Sequence, residues 1–226
     1  MTSILSSSQL PNQSHQQQPL IELSHIGMSR HGRKILSDIN LTVNKGDFIA
    51  LTGPNGSGKT TLLRMILGLL SPTEGRVVRY PALTSVGYLP QKNRIDSMFP
   101  ISVSDVIASG LLGRKSLSRA ERAARTEAMI RKVGLEQCAD SAIGAISGGQ
   151  LQRALLGRAI ISDPVLLVMD EPLNFLDKDF EQNIHAIIHE CSQQSTIIIV
   201  THEMAGIAAM AGQQLRIADG TLQTVK

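Results

Sequence analysis

The residue types that bind phosphate groups occur together in one short segment of the chain, Gly53-Pro54-Asn55-Gly56-Ser57-Gly58-Lys59-Thr60-Thr61. Its glycines allow backbone dihedrals that other residues avoid, so successive N–H groups can point at a single anion. We expect Lys59 to reach the outer phosphates of a nucleotide as a positive point charge, and the Thr60 hydroxyl to ligate Mg²⁺. The whole segment, residues 53–61, is predicted to surround the phosphates and is named the phosphate loop below.

The residues on either side of the phosphate loop predict a strand before it and a helix after it. Residues 48–51 form an apolar run, and residues 62–67 have the pattern of a helix. A strand, a glycine-rich turn and a helix are the context in which this motif binds phosphate. The N-terminus of the helix adds unpaired N–H donors and a partial positive charge. The alternative is a glycine-rich turn without a ligand, which the complete motif disfavours.

Two adjacent carboxylates, Asp170 and Glu171, follow a second apolar run at residues 165–169. Such a run is typical of a strand buried on both faces of a parallel sheet, and ligands bind at the carboxyl ends of such strands. We predict that Asp170 holds Mg²⁺ together with Thr60, mainly through water. Glu171 is then placed to orient and deprotonate a water molecule that attacks the γ-phosphate. The alternative is a pair of exposed carboxylates that cap the next helix.

A second candidate anion-binding helix terminus lies at Ser147-Gly148-Gly149-Gln150, which is named the signature below. Here a Ser-Gly-Gly turn opens a helix, as the phosphate loop does. Two such termini in one chain are unexpected if a single nucleotide uses only one of them.

Taken together, the motifs resemble those of the ATP-binding subunits of ABC transporters. The phosphate loop, the signature, Asp170-Glu171 and His202 follow one another in that family's order, and the similarity extends from about residue 20 to residue 225. The resemblance implies that ATP and Mg²⁺ are the cofactors and that two copies form a homodimer. In that dimer the signature contacts the γ-phosphate of the ATP held by the opposite subunit.

The resemblance also implies roles for single residues. Gln91 matches the glutamine that approaches Mg²⁺ and senses the membrane partner, and His202 matches the switch histidine. Asp170 matches the aspartate of the Walker B motif, Glu171 the catalytic glutamate, and Asp177 the aspartate of the D-loop. Glu171, His202 and Gln91 are therefore the predicted catalytic residues, and Asp177 a predicted nucleotide-site residue.

The sequence departs from the family pattern in three places. The signature is preceded by Ile146 instead of leucine, and residues 174 and 175 are larger than in many relatives. An aromatic residue that would stack on adenine is missing, and its place falls on Arg30 or His31. Either planar group could stack on the base with a cationic contribution.

The fold class predicted from these patterns is α/β, because strand signals alternate with helical ones. The resemblance specifies a P-loop ABC-type ATPase with a mostly parallel core sheet, an antiparallel β subdomain and an α-helical signature subdomain. Residues 1–19 are rich in Ser, Gln and Asn and are predicted to form a disordered tail. Residues 20–226 are predicted to be one ATPase domain, with the helical subdomain inserted at about 102–161.

Composition restricts the functional classes further. The net charge of +3 over 226 residues disfavours a dedicated nucleic-acid binder. No apolar run approaches the ~20 residues of a membrane helix, and we see no signal peptide. Two cysteines in a chain of this length indicate a reducing compartment. By the resemblance, we expect a peripheral protein on the cytoplasmic face of the cell membrane that binds polytopic permease subunits, with an extracytoplasmic solute-binding protein in the same system.

The segment at residues 88–107 is the most informative about cargo. It is similar to the corresponding region of importers for zinc, manganese and related metals, where Phe-Pro-Ile/Val-x-Val recurs before the helical subdomain. Import of a divalent metal ion (zinc, manganese or iron) is therefore the first prediction. Haem or iron-siderophore import and export remain open, and a soluble ABC protein that acts on ribosomes or DNA is the rival from another class.

Overall fold

The computed structural model describes residues 18–91, 99–174, 178–202 and 206–225, and the side chains at 178, 179, 181 and 182 are not described. The strands are β1 (Pro19–Arg30), β2 (Arg33–Asn44), β3 (Phe48–Thr52), β4 (Glu74–Arg79), β5 (Val86–Leu89), β6 (Leu166–Asp170), β7 (Thr196–Val200), β8 (Gln213–Ala218) and β9 (Thr221–Thr224). The helices are α1 (Lys59–Ile66), α2 (Val103–Ser109), α3 (Arg119–Lys132), α4 (Gly148–Ile160), α5 (Lys178–Ser192) and α6 (Ile207–Met210), with short 3-10 turns at Glu136–Cys138 and Ile143–Ala145.

A six-stranded sheet forms the centre of the molecule, with the strand order β5-β6-β7-β3-β8-β9. All neighbouring strands are parallel except β8 and β9, which form an antiparallel hairpin. Every residue of β6 and β7 is buried, because helices or a second sheet cover both faces. The predicted mostly parallel core sheet is therefore confirmed.

A three-stranded antiparallel sheet, with the order β2-β1-β4, covers one face of the core sheet. Helix α1 packs between the two sheets, where Leu62 and Met65 meet Leu23 and Ile39 of the small sheet in one apolar cluster. The same cluster includes Val168 and other residues from that face of the core sheet. This sheet is the predicted antiparallel β subdomain, and its first strand begins at Pro19, one residue inside the predicted tail.

The other face of the core sheet packs against α4, α5 and the helical segment that precedes α4. Alternation along the buried strands explains the two clusters, because Leu167 and Ile197 point to this side while Leu166 and Ile198 point to the other. The helical spacing of the apolar residues at 180, 184, 187, 188 and 191 predicts one apolar helix face, and α5 packs that face into this cluster.

The helical segment contains α2, α3 and the start of α4. Each of these helices begins at a serine, Ser102, Ser118 or Ser147, that forms a capping box with the residue three positions later. From sequence alone, the helical spacing and the many basic residues at 119–132 predict a solvated face for the arginines of α3, and this prediction is wrong for the half-buried Arg122. Its guanidinium donates hydrogen bonds to the carbonyl oxygens of Leu111, Arg114 and Leu117. These three residues lie in the segment that connects α2 to α3, so Arg122 stabilises that segment.

None of the helices within the described residues is long and apolar enough to cross a membrane.

Candidate active site

The phosphate loop joins β3 to α1 and takes a backbone path that requires glycine at two places. Gly53 has φ 140°, and a Cβ there would lie 2.2 Å from the carbonyl oxygen of Ile217 in β8. Gly58 has φ 105°, and a Cβ there would lie 2.7 Å from the Leu36 side chain in β2. The loop is therefore held between the two sheets, with no room for a side chain at either position.

Lys59 opens α1 and curls over the phosphate loop. Its ammonium group donates hydrogen bonds to the carbonyl oxygens of Gly53 at 2.8 Å and of Pro54 at 3.0 Å, and the residue is only 6% exposed. Burial lowers the pKa of Lys59, while Glu171 and Asp170 act in the opposite direction. These carboxylates favour the charged form, which keeps a cation at the loop.

Asp170 ends β6, and the chain places its carboxylate against Thr60. The Thr60 hydroxyl donates a 3.0 Å hydrogen bond to Asp170 Oδ2, and Asp170 is 1% exposed. Burial raises the pKa of Asp170, and the hydrogen bond from Thr60 opposes that shift. A buried carboxylate next to a hydroxyl supplies the hard oxygen ligands that Mg²⁺ prefers, so these two residues suit such an ion.

Glu171 follows directly and has φ 53°, a left-handed conformation that is costly for a residue with a Cβ. Its N–H donates to the Val200 carbonyl oxygen at 2.9 Å, which keeps the backbone in this conformation. Asn174 donates to one carboxylate oxygen, and the other oxygen lies 3.3 Å from Nε2 of His202. The carboxylate is thus held from both sides and is 11% exposed, whereas His202 is 52% exposed.

These elements surround a cavity of about 820 Å³. Gln91 and Glu171 line it together with residues 54–61 of the phosphate loop. The structure therefore brings the predicted residues of the loop, Gln91 and Glu171 to one site, with Asp170 beneath it. The remaining lining residues are Arg33, Lys34, Ile35, Asp219 and Gly220.

Arg30 and His31 do not line this cavity; both are exposed near the β1–β2 turn. Arg33 and Lys34, the first two residues after the turn, line the cavity instead. The prediction and the structure differ because β2 begins at Arg33, so the first residues of β2 face the phosphate loop and the residues of the β1–β2 turn do not.

The signature begins α4, and the described residues of a single chain do not bring it to the cavity. The Ser147 hydroxyl accepts the N–H of Gln150 at 3.2 Å, and Gln150 Oε1 accepts the N–H of Ser147 at 2.9 Å. Gly148 and Gly149 form the first turn of the helix, and neither lines the cavity. Asp177 lies outside the described residues.

The sequence reasoning missed several residues of the site. Asn174 lies three positions after Glu171, a spacing that places its side chain within reach of the carboxylate across one turn. Asp219-Gly220 is a dipeptide typical of a tight hairpin turn, and it could have been read as the β8–β9 connection. Nothing in the sequence pattern indicated that this turn lies beside the phosphate loop.

The core sheet is mostly parallel, with the phosphate loop after one strand and an Asp-Glu pair after another. This arrangement defines the chain as a P-loop ATPase. The ABC transporter family profile matches residues 36–174, which is more than half of the chain. The chain belongs to the ABC transporter family.

Curated relatives of this family include zinc import ATP-binding proteins named ZnuC. The one from Chelativorans sp. (strain BNC1) is 38% identical over 85% of this chain and 66% of its own length. The one from Pseudomonas entomophila (strain L48) is 39% identical over 82% of this chain and 69% of its own length. The chain therefore spans about two thirds of the length of these relatives.

Among solved structures, a dimeric bacterial ABC transporter cassette superposes with a TM-score of 0.80 at 24% identity, over 92% of this chain and 99% of the cassette. The same cassette in a post-hydrolysis state, bound to ADP and Pi, superposes with a TM-score of 0.79. At this identity the likeness confirms the fold.

Proposed function

We propose that this chain is the ATP-binding and ATP-hydrolysing subunit that powers an ABC transporter for a divalent metal ion, with zinc as the first candidate cargo. The observation that carries the ATPase part is the position of Glu171. Its carboxylate lines the same cavity as Lys59 and Thr60 and is held between Asn174 and His202. Support for zinc comes from the two relatives, which are named zinc import proteins.

Each residue then has a chemical task. The N–H groups of the phosphate loop and the Lys59 ammonium bind the β- and γ-phosphates. Glu171 accepts the proton of the attacking water, and His202, 3.3 Å away, helps to fix the carboxylate. Thr60, Asp170 and Gln91 would hold Mg²⁺, which, when bound, neutralises charge on the phosphate oxygens.

Two copies are needed for a complete site in this proposal. The signature has the geometry of an anion-binding helix terminus, yet it does not line the cavity of its own chain. We propose that Ser147, Gly148, Gly149 and Gln150 face the γ-phosphate bound by the second copy, with Asp177 at the same interface. In support, the similar bacterial cassette is a dimer.

The proposed partners are two polytopic permease subunits, contacted near Gln91 and Phe99. The Phe99 side chain is 57% exposed, which leaves an aromatic group available for a protein contact. An extracytoplasmic solute-binding protein would deliver the cargo. The chain would then act as a peripheral protein on the cytoplasmic face of the membrane, without nucleic acid as a partner.

Uptake of isotopic zinc, manganese and iron by cells that lack this chain tests the proposal. We expect zinc uptake to fall and to be restored by the natural chain but not by Glu171→Gln. Asp140→Asn, an exposed change of the same chemical type outside the site, is the matched control and should restore uptake. Normal uptake of all three metals in the deletion strain would contradict the proposal, and lost uptake of iron alone would favour iron as the cargo.

A further inference from the structure

We infer that Gln152 is a positioning residue that links helix α4, which the signature opens, to Gln91 of the same chain. Its side-chain amide forms a hydrogen bond with the end of β5 only when two copies close on ATP, and this bond fixes Gln91 in the wall of the cavity. The inference rests on the proposed function, because it concerns the site that two copies complete.

The side chain of Gln152 is buried without a hydrogen bond for its amide nitrogen. The residue is 3% exposed, and its Nε2 has no hydrogen-bond partner among the residues that the structure describes. A buried donor without a partner is costly, and native proteins keep few of them, so each one needs a reason. Gln152 therefore carries a donor that the described part of a single chain does not use.

Gln152 lies on the face of α4 that packs against the core sheet. The residues of this face recur at helical spacing and are all buried: 152, 155, 156, 159 and 160. Leu155, Leu156 and Ala159 belong to the apolar cluster that also contains Leu89 of β5. Gln152 is thus the polar member of an otherwise apolar face, and its side chain lies against the same part of the sheet.

The position of Gln152 along this face places it at the end of β5. A short connection returns the chain from α4 to the start of β6, so α4 runs antiparallel to β6 and to its parallel neighbour β5. Helix and strand touch at Gly87, where a Cβ would lie 2.1 Å from the Ala159 carbonyl oxygen. The helix from Ala159 back to Gln152 spans about 10 Å, which equals about three residues of a strand counted on from Gly87. Gln152 therefore lies at the level of Pro90, directly before Gln91.

Backbone acceptors for this donor are available at the same level. Strand β5 is at the edge of the core sheet, and among the described strands it pairs only with β6. The carbonyl groups on its other side therefore have no partner strand within the described residues. We assign the carbonyl oxygen of Leu89 or Pro90 as the acceptor for Nε2, because the chain continues from there to Gln91 in the cavity wall.

Pairing with a second copy supplies the movement that completes the bond. The signature forms the start of α4, and Gln152 follows it by less than one helical turn. In the proposed dimer the signature binds the γ-phosphate held by the other copy, which draws α4 towards that phosphate. Gln152 moves with its helix relative to β5 and reaches the acceptor. The bond then couples the nucleotide in one cavity to Gln91 in the other.

Thermal unfolding of the full chain without nucleotide tests the unpaired donor. Gln152→Met replaces the amide with an unbranched apolar side chain of similar size, which suits a buried face. We expect its melting temperature to exceed that of the natural protein by about 2–6 °C, because the cost of the buried donor disappears. Leu156→Met, one turn along the same face, is the matched control and should give no increase. A lower melting temperature for Gln152→Met, or a failure to fold, would overturn the inference, since the amide would then already be bonded in the single chain.

The closed pair tests the bond that the amide gains. The Glu171→Gln variant is mixed with ATP and Mg²⁺, and its dimer dissociation constant is measured by analytical ultracentrifugation. Adding Gln152→Met should raise this constant by about 5-fold or more, because the bond made on closing is lost. Binding of ribose-labelled ATP to the single chain should stay within about 2-fold, and Leu156→Met should change neither value. An unchanged dimer dissociation constant in Gln152→Met would overturn the inference.

A double-mutant cycle tests whether Gln152 acts through Gln91. In the otherwise natural chain, Gln152→Met should lower kcat for ATP hydrolysis by about 5-fold or more and leave KM for ATP within about 2-fold. In the Gln91→Ala background the same change should lower kcat by less than about 2-fold, because the residue that it positions is gone. Equal losses of kcat in both backgrounds would overturn the link to Gln91.

The two levels of the proposal fail in different ways. If the natural chain hydrolyses ATP and Glu171→Gln dimerises with it, but Gln152→Met alters neither hydrolysis nor dimerisation, the role of Gln152 is overturned and the proposed ATPase stands. If the folded natural chain neither binds nor hydrolyses ATP, the proposed function is overturned and the inference with it.

Discussion

The hydroxyl of Thr60 donates a 3.0 Å hydrogen bond to Oδ2 of Asp170, although 110 positions separate the two residues in the chain. One lies at the start of α1 and the other at the end of β6, so the bond joins the phosphate loop to the strand that carries Glu171. It also partly offsets the burial that raises the pKa of Asp170. The site thus contains a buried carboxylate whose charge is costly until a cation binds beside it.

Asp170→Asn should stabilise the protein at neutral pH when nucleotide and Mg²⁺ are absent. An aspartate with a raised pKa in the folded state binds its proton more tightly there than in the unfolded chain. Its contribution to stability is therefore lost as pH rises from about 3.9, the ordinary value, through the raised pKa, and stays lost above it. We expect the melting temperature of the variant at pH 7.5 to exceed that of the natural protein by about 2–4 °C, the shift that ~1 kcal/mol produces at this size.

The pH dependence separates this effect from a general change in packing. The advantage of Asp170→Asn should shrink as pH falls from 7.5 towards the ordinary aspartate value of about 3.9, because the raised pKa lets the natural aspartate regain its proton before that pH is reached. Asp140→Asn, at an exposed position, should show neither the gain nor the pH dependence. A lower melting temperature of Asp170→Asn at pH 7.5 would contradict the costly-charge account.

Lys59→Ala should remove most of the affinity for ATP. A hydrogen bond to a charged group contributes about 1.5–3 kcal/mol, so binding should weaken by roughly 10- to 150-fold. Titration of ribose-labelled ATP measures the effect, and Lys45→Ala, which removes an exposed lysine outside the site, should bind normally. Natural affinity in Lys59→Ala would refute the assignment of the phosphate loop.

Glu171→Gln should abolish hydrolysis while preserving ATP binding. The amide cannot accept the proton of the attacking water, and general-base catalysis is worth about 10²- to 10⁴-fold in rate. With ATP and Mg²⁺, size-exclusion chromatography should show a trapped dimer for this variant and a monomer for the double variant that also carries Lys59→Ala. A monomer for the single variant would count against two shared sites.

The strands that carry the site could be predicted from sequence because they are buried on both faces. Their apolar runs leave little ambiguity. The run at 165–169 lies within one residue of β6, and a second continuous apolar run at 197–200, which also predicts a buried strand, lies within one residue of β7. The carboxyl ends of parallel strands lie at one edge of the sheet, so the meeting of Asp170 with the phosphate loop followed from the α/β fold.

The part of the cavity wall that Arg33, Lys34 and Asp219 form could not be predicted in the same way. Arg33 begins β2 of the small sheet, whereas Asp219 lies in the β8–β9 turn of the core sheet, so their neighbourhood depends on how one sheet packs on the other. The hydrogen bond from the Ser37 N–H to the Gly220 carbonyl oxygen joins the two sheets at this point, and no local sequence pattern predicts such a contact. The family resemblance had suggested Arg30 or His31 as the residue that contacts the base. Both lie at the β1–β2 turn, and the first residues of β2, Arg33 and Lys34, line the cavity instead.

Arg153, in the helix that the signature opens, should be needed to hold that helix against its neighbours. Its Nη1 donates to the Gly134 carbonyl oxygen at 3.2 Å, just beyond the end of α3, and its guanidinium carbon lies 5.0 Å from the centroid of the Phe180 ring in α5. Arg153→Ala removes both contacts and should lower the free energy of unfolding by roughly 1–3 kcal/mol. Arg153→Lys keeps the charge but loses the planar group, so its free energy of unfolding should lie between those of the natural protein and Arg153→Ala. Thermal unfolding measures all three proteins, with Arg125→Ala as the control, because its exposed ion pair with Asp163 should contribute under about 1 kcal/mol. Equal melting temperatures for Arg153→Ala and Arg125→Ala would show that the helix is held without this side chain.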